Sequence, residues 1–353
     1  MLVAPFDGIG GARRSLELLG IKPALYISIE VNPDCHTIIR RAWPDVVAFD
    51  QDVSTVKQED LLALLSSVPN LSMGLVVGGP PCQGFSRLNL ERKGFDDQRS
   101  QGVAMFAELV TALKRLTKEH FDRFSWHALM ENVGSMLPED LATITETLEP
   151  AFRGNASVRD QSPNRQLVPY YLDAAELGPV SRPRLYWTTW NMPQGELIHA
   201  SKGELYVELV NAQRSIPHHV RVAQYARMTE FLEPGVAKVS NGPFPTAVRW
   251  LPVENEGKYP MGKATCDAAT LKKWKDAKYA MAPYQFKRCY GVIEKDGTER
   301  PPNANERERL HGYPLAHTVG FTEPERCSFI GNSFHCVAVA YLLGQWAVQT
   351  EQL

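Results

Sequence analysis

The stretch from Leu75 to Asn89, LVVGGPPCQGFSRLN, limits the folds open to this chain more than any other. Leu75, Val76 and Val77 read as a short buried strand. Gly78 and Gly79 then admit backbone angles closed to other residues, and Pro80 and Pro81 remove two donors and fix φ, so no regular element continues through them. A stop of this kind presents Cys82 from a rigid strand end at the carboxyl edge of a sheet, where open α/β sheets bind ligands. A lone cysteine after a turn is ordinarily a small buried apolar residue. Here two further elements argue otherwise. MENV (Met130–Val133) sets Glu131 at a second apolar strand end, and RPRLYW (Arg182–Trp187) sets Arg182 and Arg184 at the start of a third. Thiol, carboxylate and guanidinium at successive strand ends describe a reaction centre.

The chain opens on Phe6-Asp7-Gly8-Ile9-Gly10-Gly11 followed by ARRSLELLG, in which Ala12, Leu16 and Leu19 share a helical face and Gly20 suits the stop. Strand, glycine turn and helix let backbone amides approach a ligand closely. The next strand, Leu25–Val31, carries Glu30 about twenty residues after the glycines, where an acid can accept from ribose hydroxyls. VVAFDQDVS offers Asp52 at a third strand end, suited to an adenine amino group. Each acid alone could be a solvated loop residue; the three spaced elements together point to an adenosine-bearing cofactor. No Lys-Ser/Thr ending follows the glycines, so a nucleoside triphosphate is not suggested. Val103–Lys118 is an amphipathic helix leading to the strand that ends in Glu131, and another helix is expected near Glu139–Glu149. Alternation of strands and helices to about residue 190 predicts an α/β fold with a doubly wound, mainly parallel sheet.

Composition sets outer bounds. At 353 residues the chain can bury a large core, and 44% hydrophobic with 22% charged residues describes an ordinary globular protein. No run of eighteen apolar residues and no leader pattern is present, so neither a membrane span nor secretion is expected. The six cysteines lack metal-ligand spacing and read as reduced intracellular thiols. The net charge of −2 is unevenly divided: residues 191–304 hold 16 Lys+Arg against 12 Asp+Glu, net +4, leaving 22 against 28, net −6, elsewhere. That segregation runs in the direction a nucleic-acid contact needs. Between Gly84 and Gln101, Arg87, Arg92, Lys93 and Arg99 with few apolar anchors read as a basic lid over a phosphate backbone, or as a plain solvated loop. From 191 to 304 periodicity is poor and Pro and Gly are frequent, which marks a second, less regular module. Its LKKWKDAK cluster reads equally as a phosphate-contacting face or a solvated helix. Order returns at ERERLHGYP, and FIGNSFHCVAVAYLLGQWAV is a turn and an apolar helix suited to packing on the first module.

FDGIGG, the Glu30 strand end, GGPPCQGFS, MENV, RPRLY, RLHGYP and IGNS resemble, in order, the motif blocks of the DNA (cytosine-5)-methyltransferase family. The resemblance covers about 1–190 and 305–345; FDGI, SRLNLERKG and DAAELGPVSRPRLYW look closest to the eukaryotic de novo branch. It implies a Rossmann-like S-adenosyl-L-methionine (AdoMet) methyltransferase sheet over 1–190, a small irregular target-recognition domain over 191–304, and a segment over 305–353 returning to the first domain. By resemblance Phe6, Asp7, Gly8, Gly10, Gly11, Glu30, Val31, Asp52, Val53, Pro80, Asn332 and Ser333 would hold AdoMet. Ser86, Arg87, Arg92, Lys93 and Arg99 would touch nucleic acid. Cys82 would be the nucleophile, Glu131 would hold the base edge and supply a proton, Arg184 would orient the base, and Arg182 would support Glu131 or the lid. Two positions depart from the family pattern: Asn305 stands where an Arg is expected, and Phe334 where the de novo branch has Trp and bacterial members commonly Val.

The implied reaction is methyl transfer from AdoMet to cytosine C5 in DNA, on a base flipped into the pocket. A tRNA cytosine-C5 methyltransferase is the alternative within the class, and a catalytically silent, AdoMet-responsive DNA-binding subunit the alternative outside it. Duplex DNA is the expected partner; a second copy or a regulatory subunit stays open, and no metal or membrane is expected. The expected compartment is the nucleus in a eukaryote and the cytoplasm otherwise.

Overall fold

The computed structural model describes residues 1–81, 101–153, 167–192, 196–199, 205–209, 228–248, 260 and 262–352. The first half alternates as its apolar periodicity requires: β1 (Leu2–Pro5), α1 (Gly11–Leu18), β2 (Tyr26–Glu30), α2 (Pro33–Ala42), β3 (Val47–Asp50), α3 (Gln58–Ser67), β4 (Met73–Gly78), α4 (Gly102–His120), β5 (Ser125–Val133) and α5 (Pro138–Phe152). There follow β6 (Tyr170–Asp173), β7 (Val180–Ser181), β8 (Pro183–Thr188), β9 (Glu196–His199) and β10 (Leu205–Glu208). All but β7 join one nine-stranded sheet in the order β3-β2-β1-β4-β5-β8-β6-β10-β9. β1 to β5 run parallel, whereas β8 is antiparallel to both β5 and β6.

Both faces of the sheet are covered, as parallel strands demand. On one face Val103, Phe106, Val110 and Leu113 of α4 and Leu141, Ile144 and Leu148 of α5 pack with Val3, Ile27, Val76 and Met130. On the other, Ala12 and Leu16 of α1 join Leu2, Ala4, Leu75, Val77 and Leu129 beneath the last helix. The doubly wound sheet expected from the sequence is therefore present.

The sheet also runs past residue 190. β10 pairs parallel to β6 and antiparallel to β9, so the first strands of the irregular module are edge strands of the main sheet. The rest of that module has short elements: α6 (Met228–Phe231), β11 (Ala237–Lys238), β12 (Phe244–Pro245), α7 (Ala268–Asp276), β13 (Val292–Ile293) and β14 (Glu299–Arg300). β12 pairs with β7 just before the arginine strand, and Phe244 packs with Val180, Leu232, Val292 and Leu310, which fastens this module to the sheet.

The chain closes with α8 (Ala304–Leu310), α9 (Glu323–Asn332) and α10 (Cys336–Gln349). α8 begins at a capping box between Asn303 and Glu306. Asn305, where the family pattern has Arg, accepts from Arg326 Nη2 at 2.6 Å. Glu323–Gln349 is apolar and long enough to qualify as a membrane span, but 78% of the qualifying window is buried in the fold. α10 is a core helix, with Ala338, Val339, Ala340, Leu342 and Leu343 at 0% exposure.

Candidate active site

The site forms where the ends of β1, β2, β4, β5 and β8 converge. β4 ends at Gly78, and Gly79 and Pro80 follow as the sequence predicts. Cys82 lies outside the described residues, as do Ser86, Arg87, Arg92, Lys93 and Arg99.

Glu131 sits two residues before the end of β5, opposite Tyr186 of β8, while Arg184 is opposite Val133. Glu131 and Arg184 are therefore diagonal neighbours on one sheet face, within reach of long side chains. Arg184 Nε and Glu131 Oε1 form an ion pair at 2.6 Å, and the two side chains are only 14% and 11% exposed. The carboxylate and the second arginine are thus brought together.

Arg182 is not part of that pair. Its backbone N donates to Asp173 Oδ1 at 2.6 Å, and its guanidinium donates to the Gly331 carbonyl at 3.0 Å and the Ser333 carbonyl at 2.5 Å. The reason is local. Arg182 occupies the bend between β7 and β8, off the pleat that carries Arg184, and the C-terminal end of α9 offers it carbonyls without helical partners and the negative end of a dipole. Arg182 is expected to support Glu131 or the lid; its described bonds hold the Asn332–Ser333 turn, and the lid lies outside the described residues.

The glycine turn meets this centre through Phe334. A methyl group on Gly79 would fall 2.8 Å from the Phe334 ring and 3.0 Å from Glu131 Oε2; one on Gly11 would fall 3.0 Å from Phe334 Cβ. Phe334 thus touches the start of α1, the end of β4 and the surroundings of Glu131 at once. Phe6 joins from the other side, its ring 3.4 Å from a methyl placed on Gly102, which would also lie 2.9 Å from Pro80. Motif spacing marks Phe334 as a departure but gives no hint of this contact.

The turn itself is strained open. Phe6, Gly8 and Gly10 have φ of 55°, 58° and 81°. Gly8 N donates to Glu30 Oε2 at 2.9 Å, and Val31 N and Asn32 N donate to Glu30 Oε1 at 2.9 and 3.0 Å. Glu30 therefore ties the end of β2 to the turn; Oε1 is filled by two amides, and Oε2 keeps lone-pair capacity for a further hydroxyl. Val31 beside it is 63% exposed, an apolar surface left open at the strand end. Asp52 caps the turn before Val53, with Oδ1 accepting from Ser54 N at 2.9 Å. Beneath the turn Asp7 is 4% exposed and accepts from the Tyr26 hydroxyl, while its Oδ1 is buried without a hydrogen-bond partner. Burial pushes the Asp7 carboxyl up to about 7, against the hydrogen bonds that favour its charge. An open glycine turn, two acids at neighbouring strand ends, an exposed apolar side chain and an orphaned carboxylate oxygen fit a cationic adenosine cofactor. No cluster of three metal-ligating side chains occurs among the described residues.

Residues 3–153 match C-5 cytosine-specific DNA methylase. Over these residues the chain is similar to the cytosine-C5 methyltransferases. The type II methyltransferase M.AquIA of Picosynechococcus is 33% identical over 109 residues, 31% of this chain and 42% of that protein. The mouse tRNA (cytosine(38)-C(5))-methyltransferase is 23% identical over 145 residues, 41% of this chain and 31% of the other. The chain thus spans less than half the length of these curated relatives. The crystal structure of the S. pombe Dnmt2 methyltransferase superposes with a TM-score of 0.57 at 17% identity, covering 98% of both chains, which shows a shared fold.

Proposed function

We propose that this chain transfers a methyl group from AdoMet to C5 of cytosine in DNA. The observation that carries the reading is the Glu131–Arg184 pair packed beside Gly79, with Phe334 linking it to the glycine turn. AdoMet supplies an electrophilic methyl group. Cytosine C5 is a weak nucleophile, so the proposed role of Cys82 is to add as thiolate to C6, placing an electron pair at C5. Methyl attachment to C5, loss of the C5 proton and expulsion of the thiolate then restore the ring. Glu131, acting as the carboxylic acid, gives its proton to N3 as charge builds there and takes it back when the thiolate leaves, and Arg184 pairs with the carboxylate formed in between. Phe6, Gly8, Gly10, Gly11, Glu30, Val31, Asp52, Val53 and Pro80 line the proposed cofactor face, with Asn332 and Ser333 held from behind by Arg182. Ser86, Arg87, Arg92, Lys93 and Arg99 contact the nucleic acid in this reading, and the base leaves its stack to reach the pocket.

The family of residues 3–153 supports DNA as substrate. A second reading, methylation of tRNA, draws on the match to the mouse tRNA enzyme. Labelled AdoMet offered with duplex DNA and with tRNA separates the two. Transfer to duplex by the wild type, none by Cys82→Ala, and a covalent adduct on a 5-fluorocytosine duplex are expected. Transfer to tRNA alone selects the second reading, and transfer to neither overturns both.

A further inference from the structure

Asp7, placed by resemblance among the residues that hold AdoMet, is a buried acid to which the methyl transfer above gives no role of its own. It stands inside the glycine turn, between Phe6 and Gly8, both with positive φ. Its surroundings are short of positive charge. From β2 it faces the Tyr26 hydroxyl, Ser28 and the Glu30 carboxylate; Cys35 of α2 and Tyr313 beyond α8 also feel its charge. Arg13 of α1 stands over the Tyr26 ring, its guanidinium carbon 6.0 Å from the centroid. Glu30, a further negative charge, is fastened to Gly8 N on the same turn. Ionised Asp7 therefore sits in a dry pocket with the Tyr26 and Ser28 hydroxyls beside it, an Oδ1 outside hydrogen-bond reach of any described donor, and a carboxylate neighbour. A carboxylate so placed is stabilised by a cation brought to the outer side of the turn, because a positive charge acts strongly across a medium of low polarisability.

We propose that Asp7 is the counter-charge for a cationic cofactor on the glycine turn: the cation binds as the carboxyl gives up its proton, so occupancy and ionisation are coupled. The inference rests on the AdoMet reading above and adds a charge-selecting residue to it. AdoMet carries two positive centres, a sulfonium and an α-ammonium; S-adenosylhomocysteine keeps only the ammonium. The free-state carboxyl, held up to about 7 by burial, leaves Asp7 mostly protonated at pH 6.5 and ready to yield that proton. Linkage then makes AdoMet affinity rise with pH, by at most about tenfold per unit below pH 7. By reciprocity bound AdoMet lowers the proton affinity of Asp7 by the same factor.

Isothermal titration calorimetry of the whole chain with AdoMet, in phosphate and in Tris at pH 6.5, reads the proton directly. The wild type is expected to release roughly half a proton or more per AdoMet bound, and Asp7→Asn, checked for fold by circular dichroism, to release none. Between pH 5.5 and 8 the AdoMet Kd of the wild type should tighten and level off, while that of Asp7→Asn stays flat. Smaller release with S-adenosylhomocysteine assigns the sulfonium as the partner; equal release assigns the ammonium; either supports the counter-charge. Wild-type AdoMet binding with equal enthalpies in the two buffers overturns it without need of a variant, as does release that persists in folded Asp7→Asn. Absence of AdoMet binding at every pH removes the cofactor reading together with this inference, whereas binding without proton release removes only the latter.

Discussion

At the scale of single residues, Glu131 and Arg184 depend on each other. Removing the guanidinium leaves a carboxylate that is 11% exposed without its ion-pair partner. Arg184→Met should therefore cost about 3 kcal/mol in urea unfolding as well as activity. Arg184→Lys should recover stability better than rate, because an ammonium cannot reproduce the guanidinium's planar fork. Glu131→Gln keeps the volume and a hydrogen-bond acceptor but loses the proton; single-turnover methyl transfer is expected to fall by roughly 10²–10⁴-fold with little loss of stability. Which of the two arginines meets Glu131 is not legible in RPRLYW. Residues two apart in a strand share a face, and only the bend at Arg182, with the carbonyls of Gly331 and Ser333 beside it, separates their fates. Asp7 and Glu30 were legible as turn and strand-end acids, but Phe334 was not, since its role depends on three elements far apart in the chain.

At the scale of elements, the glycine turn tests whether strain or crowding matters more. Gly8 and Gly10 both have positive φ, but a methyl on Gly8 meets nothing within 4 Å, whereas one on Gly10 would lie 2.1 Å from the Trp43 ring. Gly8→Ala should cost about 1–2 kcal/mol, the price of a left-handed alanine alone. Gly10→Ala should cost at least about 2 kcal/mol more, because a buried indole must move. Thermal melts of the two variants make the comparison. The alternation that produced β1 to α5 could be read because each helix carries an apolar stripe and each strand a buried run. β9 and β10 escaped because four-residue edge strands present too little pattern to stand out from loop. Among the described residues from 228 to 304 periodicity fails for a related reason: the strands are two residues long, and small clusters such as Trp274 with Phe286 stand in place of a sheet face.

For the whole molecule, acid stability is set by buried histidines opposed by Asp7. Burial lowers His335 to about 3 and His127 to about 4, and lowers His311 well below its usual value. Below about pH 6.5 the unfolded chain binds more protons at these sites, so the stability they contribute above that pH is lost on acidification. Asp7 acts with the opposite sign: between about pH 4 and 7 the folded chain holds its proton more tightly, so its contribution falls as pH rises. These three and His317, also lowered by burial, make four groups against one and predict a melting temperature that drops between pH 6.5 and 4.5, and more steeply in Asp7→Asn. α10 bears on the same core. Leu342→Ala, at a side chain with no exposure, should cost about 3 kcal/mol. This helix covers a sheet face whose strands between residues 2 and 77 are synthesised long before it. A nascent chain must therefore carry that greasy half-layer bare for roughly tens of seconds of translation, a period in which chaperones or self-association compete for it.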